Sequence, residues 1–248
     1  MDSSGRLSVP LALAHRMPLS LLDSATDLSN IIDALIAESE AAGFRTLCYA
    51  YAPPLGSSNE REYFHASLDL PVGALPTTAE CFEECAPIFG FMIEHAKPVA
   101  IARVTQDPEL SRYIGESLFL SALFDHLGAG VLLPVFGPGG RKGCIGLGTG
   151  GDEGVAEPLT QTAWSIASWA HLCFCHMRQR ENPPPRLTER ESEVIDLVAQ
   201  GLSNTDIAGV LSISPHTVNT HLKRVFLKLD SQDRVTASLR ALAYSLVY

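Results

Sequence analysis

The stretch from Leu187 to Leu229 reads LTERESEVIDLVAQGLSNTDIAGVLSISPHTVNTHLKRVFLKL. Its start and stop signals divide it into three helices. Thr188 and Glu191 have the spacing of a capping box, in which hydroxyl and carboxylate each satisfy a backbone N–H that a helix start leaves unpaired. Val194, Ile195, Leu197 and Val198 follow as a helical apolar stripe, and Gly201 supplies a left-handed stop. A second helix opens at Ser203 or Asn204, buries Ile207, Ala208 and Leu211, and closes after about two turns. Ser214 and Pro215 restart the chain, the serine as N-cap and the proline at the first helical position, where its missing N–H costs nothing.

In the third helix Val218, Leu222, Val225 and Leu229 fall at spacings of four, three and four, so one face must pack on the first two helices. The opposite face carries His216, Asn219, Thr220, Lys223 and Arg224, flanked by Thr217, His221 and Lys228, and no acid stands between Pro215 and Leu229. A short helix, a tight turn and a longer helix with donors along its exposed side form a helix-turn-helix, whose second helix enters the major groove. Asn suits the adenine edge and Lys the guanine acceptors. Thr offers a hydroxyl or a methyl, and a neighbouring Lys or Arg can neutralise phosphate. A basic helix face is more often simply solvated. Here the preceding helix, the Ser-Pro restart and the apolar packing face all agree with the groove-reading arrangement.

The segment resembles the DNA-binding domain of LuxR-type transcriptional regulators. It has Leu-Thr-x-Arg-Glu-x-Glu-Val at 187–194, Gly-x-Ser-Asn at 201–204 and Ile-Ala at 207–208. Ser-x-x-Thr-Val-x-x-His-x-x-x-Val-x-x-Lys-Leu follows at 214–229. The resemblance implies that Asn219, Thr220 and Lys223 meet base edges, with Thr217, His221, Arg224 and Lys228 nearer the backbone. It also implies a fourth helix that supports dimer formation, and Gln232-Asp233 followed by Val235, Leu239, Leu242 and Leu246 fits one. The partners expected on this reading are a pseudo-palindromic DNA duplex, a second copy of the chain and, further, RNA polymerase.

A chain of 248 residues with 46% apolar content has room for two folded domains. The formal charge of −10 looks wrong for a DNA binder until it is located. From Leu187 onward six Lys or Arg face seven Asp or Glu, a net of −1, so −9 belongs to the first 186 residues. DNA affinity follows the local field, and the expectation is weak, steeply salt-dependent binding by one copy, doubled in a dimer. The run Val9–Ala14 is short, broken by Pro10 and a poor signal peptide, and no run is long enough to span a bilayer. The six cysteines (Cys48, Cys81, Cys85, Cys144, Cys173, Cys175) read as reduced thiols of a cytoplasmic protein.

The front of the chain alternates helix and strand. Helices are expected at 24–42, 78–95, 116–127 and 158–180, strands at 44–51 and 99–103, and a hairpin at 130–148 around Gly137-Pro138-Gly139-Gly140. The fold class that follows is α+β. An α/β/α sandwich with an antiparallel sheet, similar to PAS and GAF modules, precedes an all-α helix-turn-helix domain. The boundaries expected are 1–180 for a sensory and dimerising domain, 181–186 (Glu-Asn-Pro-Pro-Pro-Arg) for a proline-stiffened linker and 187–248 for the DNA-binding domain.

Sandwiches of this kind can hold a small apolar or amphipathic molecule between sheet and helices. The front half resembles the autoinducer-binding domain of quorum-sensing LuxR-type members through Gly43-Phe44 and the Gly-x-x-x-Pro of 130–134. It departs where that domain marks its acyl-homoserine-lactone pocket with Trp-x-x-x-Tyr and Asp-Pro. Aligning on Pro76 puts Ala79, Glu83 and Met92 at those places, and the only tryptophans are Trp164 and Trp169. A site that loses its hydrogen-bonding groups loses much of its affinity, so no ligand-binding residue is assigned. No acidic pair opens the chain as in a phosphoacceptor receiver domain.

Cys81 with Cys85, and His171 with Cys175, share helix faces and admit a redox or metal sensor, although buried cysteine is usually core. No zinc-ligand spacing, Walker loop, nucleophile elbow or dinucleotide fingerprint occurs. Neither a cofactor nor a catalytic residue is expected, and the chain is read as a regulator rather than an enzyme. Two alternatives stay open: a regulator that is ligand-independent or senses redox or metal, and a protein whose C-terminal domain serves only dimerisation or docking.

Overall fold

The computed structural model describes residues 28–57, 60–67, 76–151, 154–155 and 157–247. The expected helix start at Ser24 and the Val9–Ala14 run lie outside them. Among the described residues the chain divides into two compact units. The first runs up to Ala52 and includes Arg61–Gly137 and Lys142–Met177. The second holds Pro53–Glu60, Pro138–Arg141 and the chain from Arg178 onward.

The first unit is a five-stranded antiparallel sheet between two helical layers. Its strands are β1 (Thr46–Ala52), β2 (Tyr63–Ala66), β3 (Val99–Ala100), β4 (Gly130–Phe136) and β5 (Lys142–Gly148), in the order β2-β1-β5-β4-β3. Side chains alternate across the sheet. Odd positions Leu47, Tyr49, Tyr51, Val131, Leu133, Val135, Ile145 and Leu147 pack on α1 (Leu28–Ala41) and α6 (Glu157–Glu181). Even positions Cys48, Leu132 and Cys144 face α2 (Thr78–His95), α3 (Ile101–Gln106), α4 (Pro108–Glu116) and α5 (Leu118–Leu127). Gly146 shares that second face, where a Cβ would come 2.6 Å from Cys48 Sγ.

Two expectations for this unit need correction. The strand expected at 99–103 ends at Ala100, and Ile101–Gln106 is helical because Ile101 and Val104 both point into the core one turn apart. The helix expected at 116–127 starts at Leu118, capped by Ser117, and is preceded by α4, whose signal is the N-cap Asp107 with Pro108 behind it. The hairpin, the helix at 78–95 and the long helix near 158–180 stand within a residue of their expected ends, and β2 is a strand that the sequence reading left unassigned.

In the second unit the helices α7 (Glu189–Ala199), α8 (Asn204–Leu211), α9 (Pro215–Lys228) and α10 (Arg234–Ala243) surround a core of Val194, Ile195, Ile207, Val218, Leu222, Val225, Leu229, Ala237 and Ala241. Also within this unit, the buried Arg141 guanidinium binds the Glu60 carboxylate (Nε to Oε2 3.2 Å).

Candidate nucleic-acid interface and ligand cavity

Each joint of the C-terminal unit is closed by the residue that its sequence pattern names. Thr188 Oγ1 accepts from Glu191 N at 3.3 Å and Glu191 Oε2 accepts from Thr188 N at 2.8 Å, completing the capping box of α7. Ser203 and Asp206 form a second box at α8, one that the sequence reading did not single out. Helix α8 ends at Ser212 in the left-handed region (φ 54°), and Ser214 Oγ accepts from Thr217 N at 3.0 Å to start α9 on Pro215. These caps set the turn between α8 and α9. The buried Val218, Leu222 and Val225 then orient α9 so that its polar side faces outward.

The eight residues of that side do not share one fate. Asn219, Lys223 and Arg224 are exposed and carry no hydrogen bond or ion pair among the described residues. Thr220 is half-buried and its hydroxyl donates to His216 O at 3.0 Å. Thr217 shares a 2.9 Å hydroxyl contact with Ser214. His221 is half-buried, and its Nδ1 lies in the interior without a partner among the described residues. Lys228 is held, its Nζ 2.6 Å from Glu191 Oε2, a carboxylate only 3% exposed. The other cations are also engaged. Arg190 pairs with Glu193, Arg234 donates to Leu202 O, and Arg240 donates to Leu229 O and to Asp230. Of the six cations beyond Leu187, Lys223 and Arg224 therefore present their charge outward without an internal partner among the described residues.

Burial pushes the Glu191 carboxyl up, but the hydrogen bonds from Lys228 and Thr188 together outweigh it and hold the group below the ordinary carboxylate range. Glu191 thus stays ionised at neutral pH, and its contact with Lys228 joins the start of α7 to the end of α9. One surface residue escaped sequence reasoning altogether. Leu227, 83% exposed, stands one turn beyond Lys223 on the same side of α9, and only an angular plot of the helix would have found it.

In the first unit a cavity of about 30 Å³ lies between the even-numbered face of the sheet and helices α2 and α5. It is lined by Cys48, Ala50 and Phe64 from the strands, by Cys85, Ile88 and Phe89 from α2, and by Leu123, Phe124 and Leu127 from α5, with Leu132 and Cys144 closing it. Its origin is the run of small residues on that face: Cys48, Ala50, Cys144 and Gly146 stand where larger side chains would fill the layer. No lining side chain has an oxygen or nitrogen. Desolvation raises the Cys48 thiol to about 11 and pushes Cys85 and Cys144 up further, so all three stay protonated. Protonated, enclosed thiols are poor nucleophiles and poor ligands. The lactone-marking alignment does not reach this cavity: Ala79 and Glu83 are exposed on α2, and Met92 is core.

The second thiol cluster packs in the other layer. His171 is fully buried, with Nδ1 2.8 Å from Tyr49 Oη and Nε2 3.4 Å from Cys175 Sγ, and the absent Cβ of Gly143 makes room for its ring. Cys81 reaches Pro76 O rather than Cys85. Among the described residues no three His, Cys, Asp or Glu side chains are placed to hold a metal ion. No described helix is long and apolar enough to cross a membrane.

Residues 185–241 match the family model described as bacterial regulatory proteins, luxR family. The response regulator protein VraR of Staphylococcus saprophyticus is 41% identical over 71 residues, which cover 29% of this chain and 34% of that protein. The nitrate/nitrite response regulator protein NarP of Escherichia coli is 48% identical over 59 residues, 24% of this chain and 27% of NarP. The chain thus spans only about a third of the length of these curated relatives. Over nearly its whole length it is similar in fold to two solved structures of SdiA. Escherichia coli SdiA has a TM-score of 0.64 at 15% identity, covering 92% of this chain and 95% of SdiA. SdiA in complex with octanoyl-rac-glycerol has a TM-score of 0.67 at 14% identity, covering 98% and 99%.

Proposed function

We propose that this chain, whose residues 185–241 form a LuxR-family domain, is a sequence-specific DNA-binding transcriptional regulator. Helix α9 enters the major groove and reads base edges with Asn219, Thr220 and Lys223, while Arg224 neutralises a phosphate. The observation that carries this reading is the outward row Asn219, Lys223, Arg224 on a helix clamped from behind by Val218, Leu222 and Val225. Thr217, whose hydroxyl meets that of Ser214, and His221, whose Nδ1 faces the interior, act by fixing the helix, and Lys228 acts through Glu191. Two copies bind a pseudo-palindromic operator in the cytoplasm, paired through the apolar side of α10 that includes Val235 and Leu242. RNA polymerase is the further partner.

The front domain, ending near residue 180 before the 181–186 linker, senses a small apolar or amphipathic molecule that shifts the population of binding-competent dimer. Its fold likeness to SdiA, one of whose structures holds octanoyl-rac-glycerol, and its own apolar cavity support this.

Selection of binding sites from randomised duplexes with the full chain tests the proposal. The expected product is a two-fold-related sequence that Asn219→Ala reads less strictly and Lys223→Ala binds poorly. Failure to enrich any sequence, or wild-type affinity in both variants, would overturn it.

A further inference from the structure

Helix α9 turns one large apolar side chain directly away from its own core. Val218, Leu222 and Val225 are buried, and at about 100° per residue Leu227 lies about 170° around the helix from their mean direction. Leu227 is 83% exposed. Thr220 shares that line two turns earlier. Its hydroxyl is spent on His216 O at 3.0 Å, so what Thr220 has left to offer is its methyl group. The middle of the outward face is therefore apolar at both Thr220 and Leu227. Polar groups flank it, Asn219 and Lys223 on one edge and Arg224 on the other, all three exposed. No acid occurs between Pro215 and Leu229, so the charge along both edges suits a polyanion.

A single exposed leucine on a protein surface is ordinary. In the middle of a groove-reading face it is constrained, because the approach that brings Asn219 and Lys223 to base edges also strips water from whatever Leu227 covers. Under its isobutyl group the purine acceptors and the adenine and cytosine amines would lose water without replacement, weakening binding about fivefold or more per group. One group in the major groove has no hydrogen bond to lose, the 5-methyl of thymine. Leu227 also lies about 12 Å further along the axis than Asn219, whereas successive base pairs are about 3.4 Å apart.

The geometry points to Leu227 as a specificity-determining residue that packs on a thymine methyl in the major groove, at a base pair other than the one Asn219 reads. The inference rests on the reading of α9 as the recognition helix and adds to it a contact of different chemistry. One helix face then reads bases in two ways, by hydrogen bonds along the edge that holds Asn219 and Lys223 and by methyl contact along the middle.

The test uses the full-length chain and the duplex enriched from randomised sequences. Each thymine of a half-site is replaced singly by deoxyuridine, which keeps the base pairing and the polar edges and lacks only the methyl group. Competition titrations read the affinity. The wild type should lose about fourfold at one such position, the effect of one buried methyl, and about fifteenfold when both half-sites are changed. Leu227→Ala should bind the thymine and deoxyuridine duplexes alike at that position. Leu227→Met, still apolar and of similar volume, should keep most of the discrimination. The side chain is exposed, so neither substitution should shift thermal unfolding.

A half-site without thymine, deoxyuridine tolerated at every position, a loss that persists in Leu227→Ala, or a Leu227→Met chain as insensitive as the alanine variant would overturn the inference. Asn219→Ala on the same duplexes separates the two readings. Relaxed preference at its own base pair, with no thymine that depends on Leu227, removes this inference alone. A chain that enriches no duplex removes the regulator and the inference together.

Discussion

Asn219 and Arg224 stand less than two helical turns apart, yet their loss should be felt differently. An asparagine aimed at an adenine edge discriminates among bases. Asn219→Ala should therefore relax the preference at one position per half-site by about 1–3 kcal/mol while leaving non-specific binding in place, as competition titrations would read. An arginine on a phosphate discriminates nothing, so Arg224→Ala should weaken all duplexes alike and lower the salt slope by about one per head. Lys228 has the charge of a DNA contact, but its ammonium lies against Glu191. Lys228→Met should cost on the order of 1–3 kcal/mol of stability, read from the denaturant midpoint. The pH dependence follows from the sign of the Glu191 shift. A carboxyl held below its ordinary range stabilises the fold above the unfolded value and loses that contribution as pH falls through the folded one. The wild type should lose this increment below the usual carboxylate range of about 4, and Glu191→Gln should show a flatter acid limb. These roles are only partly legible in the sequence, because the spacing from 191 to 228 carries no hint that the two residues touch.

Among the elements, the turn between α8 and α9 sets the angle at which the second helix is presented. Ser214→Ala removes the side-chain acceptor for Thr217 N and should destabilise by about 1 kcal/mol, with a matching loss of operator affinity. Ser212 caps α8 in the left-handed region at φ 54°, where a side chain is strained. Ser212→Gly should raise stability by up to about 1 kcal/mol, since relief of that strain exceeds the added freedom of the unfolded chain. Thermal unfolding checks both. Elements with such caps were legible in advance: α7, α8 and α9 fall where Thr188, Ser203 and Ser214 put their starts. The short α3 was not. Six residues with no side-chain cap read equally well as a strand, and only the burial of Ile101 and Val104 one turn apart makes the segment helical.

For the whole molecule, the proposed function requires a chain of net charge −10 to bind an acidic polymer through a few outward cations. If Arg224 of each of two heads neutralises one phosphate, the logarithm of affinity should fall against that of salt with a slope of about −1.8. A slope steeper than about −3.6, beyond what Lys223 on phosphate would add, would mean that other cations leave their internal partners on binding. Leu227→Lys, adding a cation to the same side of α9, should steepen the slope by about one per head. By itself the sequence determined the capped C-terminal helices, their apolar seam and the sandwich class of the front half, because caps, turns and periodicities act over a few neighbouring residues. Only the tertiary structure decided which of the six cations remain outward and where a cavity opens. The ion pair of Lys228 with Glu191 and the hydrogen bonds of Arg240 to Leu229 and Asp230 join residues that no local pattern links. The cavity arises where small residues from separate strands meet on one face of the sheet, and that meeting depends on strand order and register.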